Sequence, residues 1–291
     1  MQVPAQFEYQ KASSVQHAIA LLTRHGPESR LVAGGHSLIP MMKLRLAQPE
    51  MLIDINDLTE LSHIRLDGAE LRIGAMARHA ELLASPVVAE HLSIFIDAER
   101  VIADPIVRNR GTVGGSLCQS DPSEDLSAAF AAVRANAVIV GQDGARTVPI
   151  REFHTGPYET VVGDAEVLTE LRVPIRPGGG SCYLKVERRV GDWPVAASGA
   201  AIWLDQDTIT EVGIGLTAVG AAHFVAEEAE QYLVGRPAAD EHFVEAGRLA
   251  AEHCRPASDQ RGPAEYKRHL AGELTTRALR RAAARALGQE V

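Results

Sequence analysis

Two glycine-bearing turns carry the chemistry this sequence most directly suggests. Ala33-Gly34-Gly35-His36-Ser37 leaves a short apolar run, and Gly111-Thr112-Val113-Gly114-Gly115-Ser116 separates two helical patterns. A diphosphate presents negative charge and many acceptor oxygens, which successive backbone N–H groups hold well. Glycine lets the backbone come close and turn through angles closed to other residues. The hydroxyls of Ser37, Thr112 and Ser116 add donors with little bulk. A glycine pair alone is more often just a turn. Neither turn fits GxGxxG or GxxxxGK[ST], which disfavours a Rossmann or P-loop enzyme. Residue type and spacing therefore give two candidate anion-binding loops and no more.

The elements that position them read as α+β. Ser13 and Gln16 fit a capping box, and Val15, Ala18, Ile19 and Leu22 recur at helical spacing up to a stop at Gly26. A strand at Leu31–Ala33 runs into the first turn, a helix follows from about Ser37, and Met51–Ile55 reads as a buried strand. Asp67-Gly68 and Asp143-Gly144 each join two strandlike runs into a hairpin. Helical patterns lie around 78–84, 87–102 and 123–134, and Val167–Val173 alternates as a strand. Pro174–Gly180, PIRPGGG, is the best linker candidate. Antiparallel strands are expected at 182–186, 200–204 and 208–217, then helices at 240–254 and 263–287. The division is into three parts, 1–56, 57–176 and 180–291.

Composition narrows the function classes. The chain has 291 residues, 46% hydrophobic and 23% charged, with a net charge of −9. That balance argues against a sequence-independent grip on nucleic acid or an anionic membrane. Cys118, Cys182 and Cys254 lie 64 and 72 residues apart. Such spacing makes no metal knuckle and cannot ligate an iron–sulfur cluster. With no secretory signal and no apolar run of membrane-spanning length, a cytoplasmic location is expected, with any membrane association made through a complex.

Longer strings carry a more specific signal. LVAGGHSLIPMMKLRL (31–46), RNRGTVGGSLCQSDPSEDL (108–126), KVERRVGDWPVAA (185–197) and the tail ASDQRGPAEYKRHLAGELTTRALRRA resemble the FAD-binding medium subunits of molybdenum hydroxylases. The likeness covers essentially the whole chain, and the aerobic carbon monoxide dehydrogenase branch looks most similar. The resemblance implies a two-part FAD-binding region of PCMH type, like that of vanillyl-alcohol oxidase, followed by an α+β carboxyl-terminal domain.

It also implies roles by position. The first pyrophosphate loop falls on Leu31, Val32, Ala33, Gly34, Gly35, His36, Ser37 and Leu38, and the second on Thr112, Val113, Gly114, Gly115 and Ser116. Asp125 matches an acidic residue on the flavin nucleotide, although it could equally cap the helix that follows. Ile102 matches a cofactor-lining position, and Leu168 and Lys185 match contacts near the flavin ring. Leu168 could instead be core and Lys185 surface. Trp193 stands where relatives carry Tyr against the isoalloxazine; ordinary packing is the alternative. Arg108 and Arg110 could face the diphosphate or form ion pairs. The implied partners are a large molybdenum-cofactor subunit and a small subunit with two [2Fe–2S] clusters, assembled as a dimer of heterotrimers. A subunit of a purine or other heterocycle hydroxylase is the alternative within the family. A free-standing FAD oxidase would need a substrate pocket and a base, and a scaffold protein would not need intact loops.

Overall fold

The computed structural model describes residues 3–289 and builds them around three sheets that follow one another along the chain. The first sheet comprises β1 (Glu8–Lys11), β2 (Ser29–Val32) and β3 (Met51–Asp54), all parallel with β3 in the middle, and carries α1 (Val15–His25) and α2 (Leu38–Lys43). Helix α1 forms because Val15, Ala18, Ile19, Leu21 and Leu22 share one buried stripe over Ile53 and Ile55. Its cap is Ser14, whose hydroxyl accepts the His17 N–H at 3.0 Å, and not the expected Ser13, which contacts the His17 ring. The mostly polar, exposed run of β1 gave no strand signal.

The middle segment holds an antiparallel sheet in the order β4-β5-β10-β6-β7. Its strands are β4 (Ile64–Asp67), β5 (Glu70–Gly74), β6 (Asn136–Gly141), β7 (Gly144–Pro149) and β10 (Val167–Pro174). Both expected hairpins are present. Between β5 and β6 run α3 (His79–Ala84), α4 (Pro86–His91), α5 (Ser93–Val101), α6 (Pro105–Arg108), α7 (Val113–Gln119) and α8 (Asp125–Ala132). Between β7 and β10 lie α9 (Ile150–Phe153) and the short ribbon β8 (His154–Gly156) with β9 (Glu159–Thr160). The second glycine motif is thus not a free turn: from Val113 onward it is the first turn of α7, capped by the Thr112 hydroxyl.

The last segment pairs β11 (Gly179–Val186), β12 (Ala196–Asp205) and β13 (Thr208–Thr217) antiparallel, with α10 (Glu227–Leu233), α11 (Asp240–His253) and α12 (Ala264–Ala286) packed on them. The opposite face of this sheet meets α8 almost backbone to backbone: a Cβ on Gly215 would lie 1.9 Å from the Ala128 carbonyl oxygen. Tyr183, Ala197 and Trp203 accordingly share one apolar core with Phe95 and Phe130. The buried Glu230 carboxylate ties the same boundary, accepting from Arg151 at 2.6 and 2.8 Å, from Arg134 at 3.1 Å and from the Ile214 N–H at 2.7 Å. The expected linker at 174–180 is instead a fastened turn. Gly178 sits at φ +68°, its carbonyl accepts the Leu204 N–H, and Arg176 pairs with Glu211 over the Trp203 ring.

Candidate functional site

One cavity of about 1040 Å³ runs along the seam of these segments, from Pro27–Arg30 and Gln48–Pro49 at one end to Lys185 and Trp193 at the other. Sixteen of the eighteen residues singled out in the sequence line it; Val32 and Val113 are the exceptions, 8% and 0% exposed in the apolar core. Their side chains follow from strand and helix periodicity, and a ligand could meet only their backbone.

The first loop leaves a row of backbone donors open to the cavity. Gly35 at φ +76° turns the chain out of β2 before α2 begins. Among the described residues, the backbone N–H groups of Gly34, Gly35, His36, Ser37 and Leu38 have no protein acceptor. Five successive unpaired donors at a cavity wall need an acceptor from outside the chain or from water. The Asn56 amide fixes the loop's stem, donating to the Ala33 carbonyl at 2.7 Å, and Arg78 in turn donates to Asn56 Oδ1 at 2.8 Å.

The second loop contributes differently. The N–H groups of Val113, Gly114 and Gly115 are already engaged by Ala77, Ala75 and the Thr112 hydroxyl. Its glycines are required by packing of the protein on itself: a Cβ on Gly114 would lie 2.6 Å from that of Ala75, and one on Gly115 would lie 2.7 Å from Thr112 Oγ1. What this loop presents to the cavity is close-lying backbone and the Ser116 hydroxyl. Neither Arg108 nor Arg110 supplies a cation there. Arg108 donates to the Ile102 and Ala103 carbonyls at 2.8 and 3.0 Å, which shapes the cavity wall around Ile102.

At the far end, Asp125 does not cap α8; Glu124 does, accepting the N–H groups of Leu126 and Ser127. Asp125 instead accepts from Tyr183 Oη at 2.7 Å and from Lys185 Nζ at 3.0 Å. Lys185, buried rather than on the surface, also donates to the Val101 carbonyl at 2.9 Å and has Glu187 at 3.5 Å. Leu168 is 5% exposed on β10 beside them, both core and wall. Trp193 stands 45% exposed over the mouth, with Gly191 and Asp192 also on the wall. Burial pushes the Glu124 carboxyl up to about 7, against its bonds from Ser127 and Leu126.

Several cavity residues were missed in the sequence. His79, Gln119, Tyr158 and Thr160 line the wall, and Tyr183 fixes Asp125 from behind. No local motif marks His79, Tyr158 or Tyr183, because their hydrogen-bond partners lie 20, 37 and 58 positions away along the chain.

Comparison with known proteins agrees with this geometry. Residues 5–176 match the FAD-binding domain found in molybdopterin dehydrogenases, and residues 181–282 match the carboxyl-terminal domain of carbon monoxide dehydrogenase flavoproteins. The chain is 42% identical to the carbon monoxide dehydrogenase medium chain of Hydrogenophaga pseudoflava, covering 97% of this chain and 99% of the relative. It is 32% identical to the glyceraldehyde dehydrogenase medium chain of Sulfolobus acidocaldarius, covering 96% and 99%. A solved structure of the Hydrogenophaga pseudoflava carbon monoxide dehydrogenase contains a chain that superposes with a TM-score of 0.94 at 44% identity, covering 97% and 99%. With both halves matched in order and nearly the full length shared, the chain belongs to the FAD-binding medium subunits of the molybdenum hydroxylases.

Proposed function

We propose that this chain is the electron-transferring FAD subunit of a carbon monoxide dehydrogenase-like complex. Residues 1–56 and 57–176 form the two halves of the cradle, and residues 180–291 close over its far end. The observation that carries the reading is the run of five unpaired N–H groups from Gly34 to Leu38 on a cavity large enough for a dinucleotide. The residues fit the group. Lys185 and Arg30, the only Lys and Arg on the wall among the described residues, are both committed to protein acceptors. A diphosphate would therefore be held by amides and the hydroxyls of Ser37 and Ser116, without a strongly hydrated cation to displace.

FAD bound here would supply redox chemistry, accepting electrons singly from an iron–sulfur centre and releasing them singly or in pairs. The chain's own residues bind, orient and shield. Thr112 and the glycines of both loops hold the two backbones close, and Asp125, kept in place by Tyr183 and Lys185, offers its remaining lone pairs to nucleotide hydroxyls. Ile102 and Leu168 give an apolar wall near the ring. Trp193 offers an aromatic face that excludes water, worth about 0.5–1.5 kcal/mol beyond area burial. No general acid, base or nucleophile is assigned.

The partners are a large molybdenum-cofactor subunit that oxidises the substrate and a small subunit with two [2Fe–2S] clusters, in a dimer of heterotrimers that reduces an external acceptor. The test is co-expression with two such subunits. Carbon monoxide should drive dye reduction only in the three-subunit assembly. A purine or other heterocycle as the sole driving substrate would move the chain to the heterocycle branch. Turnover by this chain alone would overturn the relay role. Among the described residues, no helix is long and apolar enough to cross a membrane.

A further inference from the structure

A buried pair behind Ser116, His79 with Glu99, has no part in the reading so far. His79, the first residue of α3, is 3% exposed, and its Nδ1 lies 2.9 and 3.1 Å from the two carboxylate oxygens of Glu99 on α5, itself 0% exposed. Its Nε2 lies 3.1 Å from Ser116 Oγ on α7, and both residues line the cavity. The residue is held in place: the backbone N–H of His79 donates to the Gly111 carbonyl at 3.3 Å, and Gly111 packs so close to the ring that a Cβ on it would lie 2.8 Å from His79 Cδ2.

We propose that Glu99 and His79 set the direction of the Ser116 hydroxyl, acting as positioning residues that aim it at a phosphate oxygen of FAD only when their pair carries a second proton. The proposal rests on the reading of the cavity as an FAD site. A hydroxyl has one hydrogen to give. With one proton on the pair, that proton sits between Nδ1 and the carboxylate, because a bare nitrogen facing a carboxylate at this distance is repulsive. Nε2 is then bare and takes the Ser116 hydrogen, so the hydroxyl turns its lone pairs toward the phosphate. A second proton has only Nε2 to occupy, whether the first stays on Nδ1 or moves to Glu99. Nε2–H then donates to Oγ, and the Ser116 hydrogen is released toward the cavity.

The surroundings favour that second proton. Burial works against a charged ring, but the Glu99 carboxylate, with Glu124 and Asp125 at the head of α8, outweighs it and holds the His79 pKa above its usual value. Arg108 on α6 faces Glu99 and acts in the opposite sense, and Lys185 on β11 offsets Asp125 through their 3.0 Å pair. A bound diphosphate adds negative charge on the Ser116 side. FAD therefore binds best where the pair holds both protons, affinity falls as pH rises through its titration, and binding takes up a proton. Glu124, on the same wall and pushed up to about 7, titrates within the pH range of the assay, so the control must leave it untouched.

Ser116→Ala does that. The full chain, stripped of flavin, is titrated with FAD by calorimetry from about pH 6 to about pH 9 in two buffers of different ionisation heat, giving affinity and proton uptake together. Wild type should lose affinity with rising pH while taking up as much as one proton per FAD. Ser116→Ala should bind roughly tenfold more weakly at the acid end and show a clearly shallower slope and a smaller uptake, the remainder coming from Glu124 and the charge of the ligand. Ser116→Thr, which keeps the hydroxyl, should restore both toward wild type. Equal slopes and uptake in wild type and Ser116→Ala would overturn the proposal, since charge and not hydroxyl direction would then be at work. Tight, pH-independent FAD binding by wild type would overturn this positioning role and leave the FAD site standing. Failure of wild type to bind FAD at any pH would overturn the site reading and the positioning role with it.

Discussion

Alanine at Gly34 should separate FAD binding from folding. A Cβ there would lie 2.2 Å from the carbonyl oxygen of Arg110 and 2.8 Å from the Gly111 Cα. Both obstacles are backbone, so no side-chain rotation relieves them, and a tolerable contact of 3.0 Å or more requires the two loops to part by roughly 1 Å. Overpacking of this kind costs about 1–3 kcal/mol. In the flavin-free chain the loops can relax outward, so little of that strain appears as lost stability. If FAD engages both loops at once, as proposed, binding has to reclose them against the clash. Affinity should fall about five- to 150-fold, read by fluorescence titration of the stripped chain, with a thermal midpoint close to wild type. Gly68→Ala is the control: it carries the added strain of a positive φ, +61°, which Gly34 does not, but a Cβ there meets nothing within 4 Å and the residue is not on the cavity wall. Gly34→Ala binding FAD within about twofold of wild type would refute the idea that contact between these two loops sets the grip.

Three further outcomes follow from particular contacts. Trp193→Ala should weaken FAD binding only about two- to tenfold while changing the flavin absorbance, and Trp193→Tyr should change both less; an unmoved spectrum in Trp193→Ala would rule out ring contact. Burial, with repulsion from His223, lowers the His154 pKa to about 4, so the stability of its neutral ring is present above about 6.5 and lost as pH falls toward 4, a loss bounded at about 3 kcal/mol. Denaturation midpoints should therefore fall more steeply on acidification in wild type than in His154→Asn, and equal slopes would contradict this. Glu230→Ala should destabilise the chain by about 3 kcal/mol in chemical denaturation, because Arg151 and Arg134 lose their shared carboxylate at a partly buried boundary; a change below about 1 kcal/mol would show that the boundary is held by apolar packing alone.

Local patterns in the sequence placed both hairpins, the long carboxyl-terminal helices and most strands, through apolar periodicity and turn residues, but missed the polar, exposed β1. Long-range packing was invisible to that reading. Gly114 looks like a phosphate-loop glycine from its neighbours, yet it is constrained by Ala75, which precedes it by 39 positions. PIRPGGG reads as a flexible linker by composition, whereas Arg176 is fastened to Glu211 and Trp203 by contacts no local rule supplies. Asp125 was found through family resemblance, but its partners Tyr183 and Lys185 sit on β11, about 60 residues on. His79 left no signal at all, since Glu99 and Ser116 reach it only after α3, α5 and α7 have packed.

The cofactor content of the purified chain tests the central claim most directly. Protein isolated under mild conditions, then heat-denatured and cleared, should release FAD close to one mole per mole of chain, identified by chromatography against FAD and FMN standards. Recovery of FMN in place of FAD, or of no flavin from a folded chain that also fails to take up added FAD, would contradict the reading of this cavity as a dinucleotide flavin site.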